Sequence, residues 1–114
     1  MTGTHDDERA LEDVLLAMAD PIRRQILNAL VGEGGATSTS LAAALPVTRQ
    51  AVAKHLAVLD RAGLVRGHRT GREVRYQAHV KPLERTTHWL NALAAQWDRR
   101  LEAIKDLAEQ EEPS

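Results

Sequence analysis

The spacing of apolar residues changes directly after Gly63, and this change limits the folds that the chain can adopt. Before Gly63, apolar residues recur every three or four positions, as they do on one face of a helix. The segment 64–78 alternates between apolar and polar residues at its ends, with Val74 and Tyr76 against Arg75 and Gln77, around a Thr70-Gly71 turn, which is typical of a two-stranded hairpin. The helical spacing returns from about Pro82. The sequence therefore predicts a mainly α-helical protein with one small β-hairpin.

Five helices are predicted from apolar stripes and from the residues that start and stop them. They are expected over residues 8–18, 21–31, 41–45, 48–62 and 82–109. Asp20 followed by Pro21 is a helix start, because an aspartate side chain accepts from free N–H groups and proline fits the first turn. A chain of 114 residues has the size of one domain, so we expect a single domain over residues 1–114.

The formal net charge of −1 conceals a strongly basic middle segment. Residues 48–81 contain eight Lys and Arg against two Asp and Glu, which gives a net charge of +6. Residues 1–20 carry a net charge of −5, and residues 82–114 carry −3. A positive charge gathered in one segment indicates a surface for a polyanion, although a solvated charged face would give the same count.

A short helix, a tight turn at Pro46-Val47 and a longer helix form a predicted helix-turn-helix, and the basic hairpin follows it at once. In such a unit the second helix enters the major groove of DNA and the hairpin forms a wing. Since Val52, Leu56 and Leu59 face inward, the outward residues of the second helix (about 48–62) include Thr48, Arg49, Gln50, Ala53, Lys54 and Ala57. Arginine can pair with guanine, glutamine can pair with adenine, and a threonine at the helix start can bond a phosphate. The pattern predicts binding to double-stranded DNA.

Three segments of the chain resemble the ArsR-type winged-helix repressors of bacteria. They are ADPIRRQIL at 19–27, VTRQAVAKHLAVLDRAGLV at 47–65 and TGREVRYQ at 70–77, and the resemblance extends over about residues 9–108. It implies a homodimer that binds a palindromic operator, with a DNA-binding core at about 20–80, and that releases the operator on a signal. Expected DNA-binding residues are Thr48, Arg49, Gln50, Lys54 and His55, followed on the wing (about 64–78) by His68, Arg69, Thr70 and Arg72. His55 matches a histidine common in the family, and either a phosphate contact or a packing role is open for it.

The last predicted helix carries an apolar seam with heptad spacing, which is typical of paired helices. The resemblance implies a dimer joined through the first and last helices, here about 8–18 and 82–109. The residues expected in this interface are Leu11, Val14, Leu15, Leu90, Ala94, Trp97, Leu101 and Ile104. Such a seam can also pack on the chain's own core. We expect it to join two copies, because a palindromic operator requires two recognition helices about 34 Å apart.

The absence of cysteine excludes disulfides, thiolate metal sites and thiol catalysis, and it is typical of a reducing compartment such as the cytoplasm. Metal-sensing members of the family use cysteine pairs before the turn, where this chain reads STSLAAALP, or His/Asp clusters on the last helix. Here that helix offers only His88 with Glu84 one turn away. We therefore expect neither a metal nor another cofactor, and no residue pattern names an inducer.

Other classes of protein fit the sequence less well. A winged helix used only for protein–protein contact would expose an acidic or apolar face, and an RNA-binding module would need aromatic residues for stacking, of which the chain has two Trp, one Tyr and no Phe. We expect no enzyme, since no nucleophile elbow or phosphate-binding glycine loop is present. We also expect no membrane association, because no apolar run approaches about 20 residues and the N-terminus lacks a secretion signal.

Overall fold

The computed structural model describes residues 3–111, and along them five helices and three strands follow one another. The helices are α1 (Gly3–Met18), α2 (Pro21–Glu33), α3 (Ser38–Ala44), α4 (Arg49–Arg61) and α5 (Lys81–Glu111). The strands are β1 (Ala36–Thr37), β2 (Val65–Thr70) and β3 (Glu73–Ala78). The five expected helices and the hairpin are confirmed, although α1 and α3 begin earlier than predicted. The domain expected over residues 1–114 extends at both ends beyond the described residues.

The core lies where α2, α3, α4 and the start of β2 meet. Its largest fully buried side chains are Ile26, Leu30, Leu41, Val52, Leu56, Leu59, Leu64 and Val65. Full burial of one such side chain contributes about 1.5–3 kcal/mol to folding. The predicted inward stripe of α4 is confirmed, since Val52, Leu56 and Leu59 are all buried. The core therefore holds one side of α4 and leaves the other side to solvent.

The junction between α1 and α2 is held by the charged side chains of its own turn. Asp20 caps α2, because its Oδ1 accepts from the N–H groups of Ile22 at 2.8 Å and Arg23 at 3.2 Å. The guanidinium of Arg23 donates back to the last carbonyls of α1, from Nε to Ala17 at 2.7 Å and from Nη2 to Leu16 at 3.0 Å. These bonds satisfy groups that a helix end leaves free, and they fix α1 against α2.

The hairpin belongs to a three-stranded antiparallel sheet with the order β1-β3-β2. The sequence did not predict β1, whose two residues pair with β3 as Ala36 with Tyr76 and Thr37 with Arg75. Two residues are too few to show an alternating pattern, so only the pairing with distant residues identifies this strand. It attaches the base of the wing to the segment that precedes α3.

The turn of the wing lies one residue later than predicted. Thr70 pairs with Glu73, so the two-residue loop is Gly71-Arg72 and not Thr70-Gly71. Gly71 has a φ of +64°, whereas no residue other than glycine has a positive φ in the described chain. A glycine in the first loop position is typical of the type II′ turns that connect two-residue hairpins. The shift places Arg72 at the outermost point of the wing.

Helix α5 extends far beyond the core. The chain measures 76 × 38 × 21 Å and has a radius of gyration of 20.1 Å, whereas a compact chain of this length would have about 13 Å. The 31 residues of α5 span about 46 Å, and all its residues from Ala94 to Gln110 are exposed. Within residues 3–111 no helix, α5 included, combines the length and the apolar character needed to cross a membrane.

Candidate nucleic-acid interface

The exposed side of α4 presents the residues that the sequence predicts for base contacts. Arg49, Gln50, Ala53 and Lys54 are all exposed, while the buried stripe holds the opposite side of the helix. Arginine and glutamine offer the paired hydrogen-bonding groups that read guanine and adenine in the major groove. Ala53 has only a methyl side chain, so the helix can approach base edges closely at this point.

Thr48 is the N-cap of α4, and this role uses part of its hydrogen-bonding capacity. Its Oγ1 accepts from the N–H of Ala51 at 3.1 Å, while its hydroxyl proton can still be donated. The start of α4 also has unpaired N–H groups and the positive end of the helix dipole, and both favour a phosphate. The structure thus gives Thr48 a structural role beside the predicted phosphate contact.

His55 lies on the flank of α4 that faces the start of α2. Its ring is half-buried, and its charge acts on the carboxyl of Asp20. Burial by itself raises the pKa of Asp20, but the N–H groups of Arg23 and Ile22 and the positive charges of Arg23 and His55 lower this pKa below its ordinary value. The structure therefore places His55 beside an anionic helix cap, and a phosphate contact of this ring stays a prediction.

The two faces of the wing separate the residues that the sequence groups together. Side chains alternate along a strand, so Val65, Gly67 and Arg69 share the inner face of β2, which is turned toward α4. His68 and Thr70 lie on the outer face of the same strand. All of the expected wing residues, His68, Arg69, Thr70 and Arg72, are exposed.

Two further arginines of the hairpin, Arg75 and Arg66, lie away from its outer end. Arg75 Nη2 donates to the carbonyl of Gly35 at 3.3 Å, so this side chain is directed to the base of the sheet. Arg66 lies near the start of β2, with its Nη2 3.5 Å from His79 Nε2. The positive charge at the outer end of the wing therefore comes from Arg69 and Arg72.

A second surface, on α1 and α5, is apolar and exposed. Leu15, Leu90, Trp97, Leu101 and Ile104 are exposed large apolar residues, with Trp97 at 56% and Leu101 at 64%, and Ala94 is exposed as well. Leu16 on α1 and Trp89 and Leu107 on α5 are also exposed large apolar residues. We call these nine residues the α1/α5 face. Exposed apolar surfaces of this kind are typical of interaction sites.

Val14 and Leu11 differ from the rest of the expected interface. Val14 is only 3% exposed and belongs to the core of the chain itself, so it has almost no surface left for a partner. Leu11 is half-buried. The apolar stripe of α1 is wide enough that one edge faces the core and the other faces solvent, and helical spacing alone does not separate the two edges.

A cleft of about 750 Å³ lies between α1, the end of α4 and the start of α5. Its lining combines Leu11 and Trp89 with charged groups of both signs, among them Asp13, Arg61 and Glu84. His88 also lines it. Within the described part of the chain, no group of three or more His, Asp or Glu side chains is placed to hold a metal ion.

The geometry by itself defines a class of protein. A short helix, a turn and a longer helix with an exposed polar face, followed directly by a basic hairpin, form a winged helix-turn-helix. This arrangement is the basis of DNA binding by transcriptional regulators. A model of a helix-turn-helix domain matches residues 18–68.

Known proteins that resemble this chain are also transcriptional regulators. The solved structure of an ArsR-like transcriptional regulator from Rhodococcus sp. RHA1 superposes with a TM-score of 0.78 and 44% identity, over 93% of this chain and 96% of that one. The transcriptional repressor SdpR of Bacillus subtilis is 29% identical over 70% of this chain and 88% of its own length. The HTH-type transcriptional regulator CmtR of Mycobacterium tuberculosis is 45% identical over 60% of this chain and 58% of its own. The chain belongs to the ArsR-like family of DNA-binding transcriptional regulators.

Proposed function

We propose that this regulator is a homodimeric repressor that binds a palindromic operator through α4 and the wing of each subunit. The observation that carries the proposal is the division of the surface. Basic and amide side chains are exposed on α4 and the outer wing, while large apolar side chains are exposed on α1 and α5. One surface suits a polyanion and the other suits a protein partner.

A second copy of the chain is the partner that explains the α1/α5 face. Burying the exposed side chains of Trp97, Leu101 and Ile104 on both subunits would remove a large apolar area from water, at about 25 cal/mol per Å². The heptad spacing of α5 provides a regular row of side chains that a second α5 can meet. In a dimer, the part of α5 that extends beyond the core would pack against the second subunit, which accounts for the extended shape of the single chain.

A two-fold dimer sets the form of the operator. Two α4 helices related by the dimer axis would enter successive major grooves on one side of the duplex, about 34 Å apart. Arg49 and Gln50 would read bases in each half-site, while Lys54, His68, Arg69, Thr70 and Arg72 would hold the backbone nearby. Repression rather than activation is supported by the similarity to SdpR, which is a transcriptional repressor. We assign the protein to the cytoplasm and assign it no catalytic activity.

A binding assay with controlled salt tests this function. Fluorescence anisotropy would compare a duplex that contains the inverted repeat upstream of the protein's own gene with a shuffled duplex of equal length. We expect the inverted repeat to bind about 10³-fold more tightly, and both affinities to fall steeply between about 50 and 200 mM salt. A duplex with only one half-site should bind far more weakly than the full repeat.

The outcomes separate the possible functions. Equal affinity for the repeat and the shuffled duplex would contradict an operator-binding function. A fully monomeric protein at low micromolar concentration, with one half-site as effective as two, would contradict the dimer while leaving DNA binding intact. Tight binding to single-stranded RNA but not to duplex DNA would favour the RNA-binding alternative.

A further inference from the structure

A narrow groove separates α4 from the inner face of the wing, and the small residues along it leave room for one strand of the DNA backbone. The groove has a volume of about 340 Å³ and is lined by Ala53, Leu56, Ala57, Asp60, Gly67, Val74 and Tyr76. Ala53 and Ala57 each carry only a methyl group, and Gly67 carries no side chain. When α4 lies in the major groove and the wing reaches beyond it, the DNA strand that borders that groove must pass between the two elements.

Tyr76 forms the wing side of this groove. It lies on the inner face of β3 between Val74 and Ala78, opposite Gly67 on β2. A Cβ added to Gly67 would lie 2.9 Å from Val74 Cγ1 and 3.1 Å from Tyr76 Cε1, so only glycine leaves room for the tyrosine ring in this position. The ring packs against the core while part of the residue remains exposed.

The hydroxyl of Tyr76 is available for a ligand. None of the side-chain hydrogen bonds between described residues uses it, and no buried side-chain polar atom in that part of the chain lacks a partner. The hydroxyl must therefore reach solvent. A tyrosine with its ring in the protein and its hydroxyl at the surface has one strong donor to offer.

The charges around the groove differ along its length. Arg69 is on the same inner face as Gly67 and Tyr76, farther toward the tip of the wing, and it makes the outer end positive. Asp60, near the end of α4, makes the inner end negative. An anion would therefore occupy the outer part, within reach of Tyr76 and Arg69, and would be repelled from the inner part.

We propose that the Tyr76 hydroxyl donates a hydrogen bond to a DNA backbone phosphate held in this groove, and that the Asp60 carboxylate limits how deeply that phosphate enters. The inference rests on the DNA binding proposed above and adds a contact that positions the duplex against the wing. Hydrogen bonds from neutral donors to phosphate oxygens are assisted by the phosphate charge and carry no base information.

Tyr76→Phe tests the contact while it keeps the ring that packs on Gly67. We expect the affinity for the operator and for a shuffled duplex to fall by the same factor, about tenfold, with an unchanged dependence on salt. The salt dependence stays the same because a neutral hydroxyl releases no counterion. Asp60→Asn should have the opposite effect and raise both affinities a few-fold. Gln77→Ala, on the outer face of the same strand, is the matched control and should change neither.

A duplex with single phosphates replaced by uncharged methylphosphonates identifies the contact directly. At one phosphate per half-site, the replacement should lower the DNA affinity of the wild-type protein, and it should lower the affinity of Tyr76→Phe by much less. The proposal is overturned if Tyr76→Phe binds as well as wild type, if it weakens only operator binding, or if no phosphate shows this coupling. A wild-type protein without operator preference would instead contradict the proposed function, while the coupling to a phosphate could still be measured on the shuffled duplex.

Discussion

The region formed by the wing and α4 differs from the α1/α5 face in where its apolar side chains lie. Behind α4 lies a complete core, in which Leu56 and Leu59 are buried, so the polar residues in front of it need no further support. On α5 the large apolar residues lie outside, and nothing within residues 3–111 covers Trp97 or Leu101. The first region is complete in a single chain, whereas the second is incomplete there, because its large apolar side chains stay exposed to solvent.

The difference shows how the two regions can be coupled. Arg23 joins the end of α1 to the start of α2, and α2 packs against α4 in the core. Hydrogen-bonded and buried groups therefore connect α1, which carries part of the α1/α5 face, to the recognition helix. The cleft that contacts α1, α4 and α5 lies beside the same path.

The largest effect should come from placing a charge in the α1/α5 face. Leu101→Asp would bury an unpaired carboxylate at the centre of the seam, and we expect the dimer to weaken by at least about 100-fold. Light scattering at low micromolar concentration should then report the mass of one chain. The affinity for the inverted repeat should fall with it, because two half-sites no longer bind together.

The matched control for that change is Arg99→Asp, which alters charge on α5 two residues away at a position outside the seam. We expect it to leave the dimer intact. If Leu101→Asp also stayed dimeric, the seam would not be the interface. If it lost most of the helical signal in circular dichroism, the winged core would have unfolded as well, and the distinction between a complete and an incomplete region would be wrong.

The next effect concerns the residues that read bases. Arg49→Ala or Gln50→Ala should lower the preference for one base pair in each half-site, by about 1–3 kcal/mol. Competition binding with operators that carry single base-pair changes would measure this preference. An Arg49→Ala protein with the same ranking of operators as wild type would show that this side chain only contacts phosphate.

A smaller and more uniform effect should follow from Arg72→Ala at the tip of the wing. Removing one cation from each subunit should weaken binding to every duplex and lower the slope of log affinity against log salt by about 2 for the dimer. Anisotropy titrations at several salt concentrations would give the slope. A change in base preference as strong as that of Arg49→Ala would contradict the division between reading and positioning residues.

Local signals in the sequence were sufficient for most of the fold. The stripe Val52, Leu56 and Leu59 defines α4 through neighbours within a few turns, and it is buried as predicted. The same is true of Asp20 at the start of α2. Such features depend on hydrogen bonds and side chains close in sequence, so the residues themselves specify them.

Features that depend on distant partners could not be predicted. Strand β1 exists through its pairing with β3, and Arg75 is held by Gly35, 40 residues earlier. The groove that contains Tyr76 requires both the tilt of the wing and the missing side chain of Gly67. The one signal available in the sequence was the alternation along β3, which places Tyr76 on the inner face with Val74.

The smallest predicted effect is on stability, through the cap that joins the two regions. Asp20→Asn keeps an oxygen that can accept from Ile22 and Arg23 but removes the charge, including the 3.8 Å ion pair with Arg23. Because the folded protein lowers the pKa of Asp20 below its ordinary value of 3.8, the ionised carboxyl stabilises the fold above that pH. This stabilisation is lost as the pH falls through the lowered pKa. Thermal melts between about pH 6 and pH 2 should therefore show a smaller loss of Tm for Asp20→Asn than for wild type. Parallel curves for the two proteins would mean that the charge of Asp20 adds nothing to the cap.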